Sequence, residues 1–307
     1  MDGILLVIKP PDMTSFDVVS YLRGLLKIKK IGHAGTLDPA ACGLLPVCIG
    51  KATKSIDWFQ DFDKSYRTEM VLGLTTDTQD AEGKTINEVK VEVDDTTIVN
   101  TINTFVGEYA QIPPMYSAIR IKGQRLYDLA RQGIEVERNP RDVYISKIDT
   151  LEIKKNKDIT SVRFDADCSK GTYIRTLCHD IGQKLGCGAH MSFLVRTRVG
   201  DFSITDGVTL EEVKKRQEEG ALSSILKSVD LLFLNYKRVV IDRDMTKKFL
   251  NGAFVSLEEH NLLEVDKTAR VYFEDGTFIG LGKVFCDGDR KKIRASKLFI
   301  SNNFLVY

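Results

Sequence analysis

The sequence lacks the short motifs that identify most cofactor-dependent and metal-dependent enzymes. It contains no Gly-x-Gly-x-x-Gly, the motif that identifies dinucleotide-binding domains. Gly50-Lys51-Ala52 does not have the Ser or Thr that follows the lysine of a phosphate-binding loop. The nucleophile motif Gly-x-Ser-x-Gly and the zinc motif His-Glu-x-x-His are absent too. These absences argue against redox chemistry and against metal-dependent hydrolysis, and we expect no cofactor.

Cysteine pairs with metal-binding spacing are also missing. The six cysteines include no Cys-x-x-Cys and several stand in apolar runs, which is typical of reduced, buried thiols in a cytosolic protein. Cys178-His179 with Cys187 and His190 does place four possible zinc ligands close together in the chain. Adjacent Cys and His side chains on a helix point apart, so we expect no metal site.

Long hydrophobic runs and an excess of charge of either sign are absent. The net charge is +1, so overall charge predicts no polyanionic partner. The apolar run 3–8 is too short for a signal peptide and has no basic residues before it. No stretch approaches the length of a membrane span. We therefore expect a cytoplasmic protein without membrane contact.

Basic residues are nevertheless concentrated in one part of the chain. Between Leu22 and Lys54, six Lys and Arg residues stand against one acid, Asp38, giving a local charge of +5. A positive field of this kind favours a phosphate-bearing partner. A solvated helix face that is basic by chance gives the same pattern, so both interpretations stay open at this point.

The stretch Gly32–Gly43 combines a histidine, a carboxylate and three glycines. Glycine permits tight turns and lets a ligand approach the backbone closely. Pro39 biases Asp38 towards an extended conformation. Two interpretations remain open here. Asp38 is a reactive carboxylate aimed by a turn, or the N-cap of a one-turn helix that starts at Pro39 and is closed by Gly43. The two need not exclude each other, because a short turn that starts at Pro39 would also fix where Asp38 points.

Strand-like and helix-like patterns are mixed along the chain without strict alternation, which predicts an α+β fold. The segment 14–17 resembles a capping box, with Asp where Glu or Gln is commoner. After about Phe233 the sequence consists of short strand-like segments separated by residues typical of turns, which predicts a small β domain. The main predicted elements are strands at 3–8, 44–49, 64–74, 143–153 and 159–168, and helices at 53–62, 172–185, 210–219 and 222–227.

Four segments resemble, in their order along the chain, the TruB family of tRNA pseudouridine synthases. The resemblance covers roughly residues 3 to 200, and within that range the segments 113–118 and 185–190 match the family as well. It implies a catalytic domain at 1–232 with a mixed, mostly antiparallel sheet, a thumb-like RNA-gripping insertion at 111–138, and a PUA-like RNA-binding β domain at 233–307. The four segments are Ile8-Lys9-Pro10, Gly32–Gly43, Lys64–Arg67 leading to Leu72-Gly73, and Ser169–Thr176.

The activity implied by this resemblance is conversion of the T-loop uridine at tRNA position 55 to pseudouridine. The base is flipped out, the glycosidic bond breaks, and the base is reattached through C5 without a cofactor. The implied partner is the T-arm of tRNA. The chain has no long basic tail, so we expect a monomer that works without a guide RNA.

The resemblance assigns the catalytic aspartate to Asp38, the catalytic arginine to Arg175 and the active-site tyrosine to Tyr66. An arginine beside a carboxylate favours the ionised carboxylate, and a tyrosine can stack on an extruded base and move a proton. Outside the family context, Arg175 is an ordinary helix-surface ion-pair residue and Tyr66 one aromatic in a half-buried strand.

Four further residues are implied to bind substrate. Tyr173 and Leu194 match positions that line the uridine pocket, although their periodicity alone indicates core residues. His33 matches the histidine that contacts the flipped nucleotide, and Lys9 supports the site or a phosphate. Two other functions remain open, namely a non-catalytic RNA-binding protein that uses the same groove, and a carboxylate hydrolase of a phosphorylated small molecule.

Overall fold

Helices pack on two β-sheets in the computed structural model, which describes residues 1–117, 119–121, 123–156, 159–257, 264–287 and 290–300. The α helices are α1 Ser15–Leu26, α2 Ile56–Gln60, α3 Asp95–Asn103, α4 Leu126–Arg131, α5 Ile174–Lys184, α6 Leu210–Glu218 and α7 Arg243–Leu250. The strands are β1 Gly3–Lys9, β2 Ile31–His33, β3 Cys42–Ile49, β4 Lys64–Leu72, β5 Leu74–Thr76, β6 Thr85–Glu88, β7 Gly107–Gln111, β8 Arg120–Ile121, β9 Gln124–Arg125, β10 Arg141–Lys155, β11 Thr160–Cys168, β12 Ala189–Val199, β13 Phe202–Ser203, β14 Leu226–Lys227, β15 Lys237–Ile241, β16 Val255–Leu257, β17 Thr268–Phe273, β18 Phe278–Asp287 and β19 Arg290–Leu298.

The larger sheet has the strand order β14-β1-β3-β12-β4-β11-β10-β7, with β2 added beside β3 and β13 beside β12. Its neighbours are antiparallel except β3 and β12, which run parallel and pair Cys42 with Val195 and Gly43 with Arg196. The α+β fold with a mixed, mostly antiparallel sheet is therefore confirmed.

The half of this sheet around β1 and β3 is buried on both faces, because both strands are almost continuously apolar. One face packs against α1 and α6 through residues such as Val18, Leu22 and Val213. The other face packs against an aromatic cluster that includes Phe59 and Phe233.

The half around β4, β11 and β10 is covered on one face only. Along β11 buried and half-buried residues alternate, the period of a strand with one face in the core. Val162 and Phe164 belong to the same core as Leu177 and Ile181 of α5. The exposed face carries ion pairs such as that between Arg67 and Asp165.

The C-terminal sheet has the order β15-β17-β18-β19-β16, with β15 and β17 parallel. Its own core is completed by Phe249 and Leu250 of α7. Leu281 and Phe299 also join the aromatic cluster around Phe233, so the two sheets share a packed interface. The predicted C-terminal β domain is confirmed as a separate sheet.

Secondary structure was predicted correctly where neighbouring residues determine the backbone conformation. It was predicted wrongly where contacts with a distant part of the chain determine it. The capping box at Thr14 and Asp17 forms as predicted. The helix predicted at 222–227 is wrong: a 3₁₀ turn at Leu222–Ile225 leads into β14, whose residues pair with the open edge of β1. The helix predicted at 53–62 forms as a 3₁₀ turn at Gly50–Ser55 followed by the short α2.

Within the described ranges, none of the helices combines the length and apolar character needed to cross a membrane.

Candidate active site

A cavity of about 410 Å³ opens beside the loop between β2 and β3. The loop, two strands of the large sheet, the start of α5 and the 111–138 insertion all contribute to it. It therefore collects residues that lie far apart in the sequence. Its lining comprises Thr36, Leu37, Asp38, Tyr66, Tyr116, Ser117, Tyr127, Arg131, Thr172, Tyr173, Ile174, Arg175 and Leu194.

Asp38 stands at the start of a β-turn. Its carbonyl accepts a hydrogen bond from the N–H of Ala41 at 3.1 Å, which places Pro39 at the second turn position, where its fixed φ is favourable. No helix forms over 34–41, and Gly43 belongs to β3, so the one-turn helix with Asp38 as its cap is wrong. The Asp38 side chain is 41% exposed and faces the cavity.

The backbone of this loop is fixed from the side of β1 and α1. The carbonyl of Pro39 accepts from Lys9 Nζ at 2.9 Å and from the N–H of Asp12 at 3.0 Å. The hydroxyl of Ser15 accepts from the N–H of Leu37 at 2.9 Å and lies 3.2 Å from the Leu37 carbonyl. The residues on both sides of Asp38 are thus held by partners that do not enter the cavity.

Arg196 fixes the other side of the loop. Arg196 is 2% exposed, and its guanidinium donates to the carbonyls of Leu44 (2.8 Å), Gly35 (3.0 Å) and Thr36 (3.4 Å). Burial lowers the pKa of Arg196, and the contact with the Tyr66 hydroxyl opposes that shift. The carbonyl oxygens compensate part of the cost of burying this cation.

Arg175 connects Asp38 to two other parts of the chain. Its Nε lies 3.0 Å from Asp38 Oδ2, and its Nη1 lies 3.6 Å from Asp80 Oδ2. Nη1 also donates to the carbonyl of Thr78 at 3.2 Å, and Nη2 to that of Tyr116 at 2.8 Å. The side chain is 6% exposed, so this is a largely desolvated ion pair and not a helix-surface one.

Tyr66 lies on β4 and is half-buried against Arg196. Burial, opposed by Arg196, raises its pKa to about 12. The hydroxyl is therefore protonated at neutral pH and can donate a hydrogen bond, but it is a poor base. The ring faces the cavity shared with Asp38.

Tyr173 and Leu194 both line the cavity. Leu194 on β12 is 7% exposed. Tyr173 precedes α5, and its backbone is held by the buried side chain of Gln111, which accepts from the Tyr173 N–H at 2.8 Å and donates to its carbonyl at 3.0 Å. Gln111 ends β7 and begins the insertion.

His33 and Lys9 are not among the described residues that line the cavity. His33 ends β2, where burial and Arg196 lower its pKa, so the ring is neutral at pH 7. Lys9 is fully buried and donates to the carbonyls of Pro10 (2.8 Å) and Met13 (2.6 Å) as well as Pro39. An ammonium has three N–H donors. Lys9 thus supports the site through the carbonyl of Pro39, which is one of the two roles expected of it, and a contact with substrate stays a prediction.

The insertion contributes four lining residues, and two of them, Tyr127 and Arg131, lie on α4. The Tyr127 ring has the guanidinium carbons of Arg125 and Arg131 at 5.6 and 5.5 Å from its centroid. Aromatic and arginine side chains are also the groups on which the bases of a bound nucleic acid can stack. The sequence indicated this mixture of aromatic and cationic residues, but not that it reaches the cavity.

Sequence reasoning missed Asp80, Arg196 and Gln111. Asp80 belongs to the polar run 75–83, whose composition indicates a loop without indicating what the loop contacts. Arg196 shares β12 with a second arginine, Arg198, so the strand pattern did not single it out.

No cluster of metal ligands occurs among the described residues. Cys178 is fully buried in the core beside Leu177, and His190 Nδ1 lies 2.9 Å from the carbonyl of Leu74. Cys178 and Cys187 thus belong to the core, and His190 contacts a backbone carbonyl.

Three family models match successive parts of the chain. The model described as "TruB family pseudouridylate synthase (N terminal domain)" matches residues 23–174. "tRNA pseudouridylate synthase B C-terminal domain" matches 175–233, and "Pseudouridine synthase II TruB, C-terminal" matches 238–295. The chain is 46% identical to tRNA pseudouridine synthase B of Clostridium acetobutylicum over 94% of its own length and 97% of that protein. It belongs to the TruB family.

Other similar proteins extend the comparison. The tRNA pseudouridine synthase B of Clostridioides difficile is 42% identical, with 98% of this chain and all of that protein covered. A solved Cbf5-Nop10-Gar1 complex contains a chain with a TM-score of 0.72 and 26% identity, covering 99% of this TruB-family chain and 86% of its own. A chain of an H/ACA RNP bound to substrate RNA has a TM-score of 0.70 at 24% identity, which shows a shared fold.

Proposed function

We propose that this protein isomerises uridine to pseudouridine in tRNA, at position 55 of the T-loop. The observation that carries the proposal is the cavity in which the Asp38 carboxylate meets the buried guanidinium of Arg175 beside the ring of Tyr66. Membership of the TruB family supports the reaction, and the family resemblance of the segments that supply these residues supports the position in tRNA.

Asp38 is the nucleophilic residue in this proposal. The carboxylate attacks the ribose or the base, or stabilises the sugar cation, while the bond between C1′ and N1 breaks. The base then turns, C1′ bonds to C5, the proton on C5 leaves, and N1 gains a proton. Atoms and charge balance within the nucleotide, so the reaction needs no oxidant, reductant or metal.

Arg175 holds Asp38 in position, and Asp80 holds Arg175. A carboxylate with two oxygens turns freely about its last side-chain bond unless a fixed donor restrains it. The guanidinium provides that restraint because it is buried and is itself held by three acceptors besides Asp38. A preorganised charged group of this kind contributes to the rate without reorganising during the reaction.

Tyr66 stacks on the extruded base and acts as a neutral donor, since its raised pKa argues against proton removal by this residue. Tyr173 and Leu194 form the apolar wall against the base. Flipping a base out of its stack costs a few kcal/mol, which contacts with the flipped nucleotide must offset. His33, neutral and next to the loop, is the residue proposed to contact that nucleotide.

We also propose the division into a catalytic domain at 1–232, a thumb-like insertion at 111–138 and a PUA-like RNA-binding domain at 233–307. Tyr127 and Arg131 on the insertion support its role in gripping RNA. The relatives named tRNA pseudouridine synthase B are far more similar than the H/ACA chains. That ranking supports action on the T-arm of tRNA without a guide RNA, and we propose in addition that the protein is a cytoplasmic monomer.

The test is incubation of the purified protein with one unmodified tRNA transcript, followed by mapping of pseudouridine at nucleotide resolution. The expected result is stoichiometric modification at position 55 alone. Modification confined to another uridine would overturn the assignment of the position. RNA binding without any modification would favour the non-catalytic alternative.

A further inference from the structure

The basic stretch that the sequence places around Asp38 lies at the opposite end of β3. Lys30 precedes β2, and its carbonyl accepts from the N–H of Gly50 at 2.8 Å. Lys51 and Lys54 follow in the 3₁₀ turn after β3. From Cys42 near the cavity to Ile49 there are seven residue steps of about 3.3 Å, so roughly 23 Å separate the two ends.

A fourth lysine joins this group from the C-terminal sheet. Lys297 lies on β19, and its Nζ is 4.2 Å from the centroid of the Trp58 ring. Lys54 Nζ donates to the carbonyl of Leu298 at 2.9 Å, which ties the two sheets together at this point. We name Lys30, Lys51, Lys54 and Lys297 the junction patch.

The charges of the junction patch reinforce one another. Burial, together with the like charges of Lys51, Lys30 and Lys297, lowers the pKa of Lys54. Among the described residues none of the four lysines is in an ion pair with a carboxylate, whereas exposed lysines elsewhere, such as Lys90 and Lys154, have a glutamate partner. The nearby carboxylate of Asp2 accepts a hydrogen bond from the backbone N–H of Lys51.

We propose that the junction patch binds backbone phosphates of the tRNA at a distance from the target uridine, outside the hairpin that enters the cavity. The inference rests on the proposed function. A tRNA whose T-loop is bound in the cavity extends beyond it, and the phosphates of its other parts can then contact the protein surface. Lysine contacts of this kind position a nucleic acid without reading its sequence. They also release counterions, so their contribution depends on salt.

The test uses the full chain with Lys30 and Lys51 both changed to Gln. These two side chains are chosen because Lys54 and Lys297 also hold the junction itself. The control is Lys90→Gln with Lys154→Gln, which removes the same charge at exposed positions elsewhere. Binding of intact tRNA and of the isolated T-arm hairpin is measured between 50 and 200 mM salt, together with single-turnover modification of both.

We expect the patch variant to bind intact tRNA on the order of tenfold more weakly at 0.1 M salt, with a salt slope smaller by about 2. Hairpin binding, hairpin turnover and the control variant should be unchanged. Equal losses on hairpin and intact tRNA would assign the lysines to the T-arm site and overturn the proposal. Unchanged tRNA binding would overturn it too. If the patch variant kept its tRNA affinity but lost binding to anionic lipid vesicles or acidic peptides, the lysines would serve another partner and the proposal would be wrong. Absence of turnover by the wild type would reject the proposed function instead.

Discussion

Arg175 contacts Asp80 through Nη1 at 3.6 Å, while its Nε contacts Asp38 at 3.0 Å. The two carboxylates differ in accessibility, because the Asp80 side chain is 15% exposed and that of Asp38 is 41% exposed. Asp80 also accepts from the N–H of Glu82 at 3.1 Å within its own loop. The buried carboxylate therefore fixes the arginine, and the accessible one is left to meet substrate.

Asp80→Asn tests this division of roles. The amide keeps the shape but removes the charge, so Arg175 is expected to shift relative to Asp38. We expect kcat to fall by about 100-fold, the cost of a small misplacement of a catalytic group, with the Kd for tRNA nearly unchanged. Stopped-flow binding and single-turnover modification separate the two quantities.

The matched control is Asp165→Asn, which breaks the exposed ion pair with Arg67 on the open face of the sheet. An exposed pair is worth little, so kcat should remain at the wild-type value. Equal loss in both variants would mean that Asp80 has no special relation to Arg175.

Gly43→Ala tests the packing of the loop against Arg196. Gly43 has a φ of +106°, and an added Cβ would lie 2.3 Å from the Arg196 carbonyl oxygen. We expect a loss of about 3 kcal/mol in unfolding free energy, from backbone strain and overpacking together. Urea unfolding followed by circular dichroism measures it.

Gly24→Ala is the comparison variant, because Gly24 lies in α1 and an added Cβ there would meet nothing within 4 Å. Alanine is the better helix former, so this change should raise stability by up to about 1 kcal/mol. If Gly43→Ala were as stable as wild type, the close approach of β3 and β12 at this point would be disproved.

The raised pKa of Tyr66 predicts a pH dependence of stability. Its folded pKa is about 12, against the ordinary value of 10.0. The unfolded state therefore ionises first, and the stabilisation is present below pH 10 and lost as pH rises through 10 towards 12. Tyr66→Phe removes this contribution, so its unfolding free energy should fall less steeply over that range than that of wild type.

Parallel slopes for the wild type and Tyr66→Phe between pH 9 and 11 would contradict the burial of the hydroxyl against Arg196. Tyr272→Phe is a useful reference because burial, together with Asp230, also raises the pKa of Tyr272 to about 12, far from the cavity. It should flatten the stability curve in the same way without affecting turnover.

Much of the site could be predicted from short segments, since Asp38, Tyr66 and Arg175 each stand in a recognisable motif. The turn at Pro39 could also be predicted, because a proline limits the conformations of its own residue and of the one before it. The motifs and the turn both depend on residues that are neighbours in the chain.

The supporting residues could not be predicted in this way. Arg196 binds the carbonyl of Gly35 across 161 positions of sequence, and Lys9 binds that of Pro39 across 30. Every residue has the same backbone carbonyl, so no pattern of side chains in the sequence indicates which carbonyl a given Arg or Lys will bind. The position of the basic residues could not be predicted for a related reason. Lys51 and Lys54 are near Asp38 in sequence, but β3 carries them to the far end of the sheet.

The most direct test of the account is single-turnover modification by Asp38→Asn with an unmodified tRNA transcript. Asparagine has nearly the same shape and cannot act as a carboxylate nucleophile, so we expect pseudouridine formation to fall by at least about a thousandfold. Affinity for tRNA and the unfolding free energy should stay close to wild type. Pseudouridine formation at the wild-type rate would contradict the central claim that Asp38 performs the reaction.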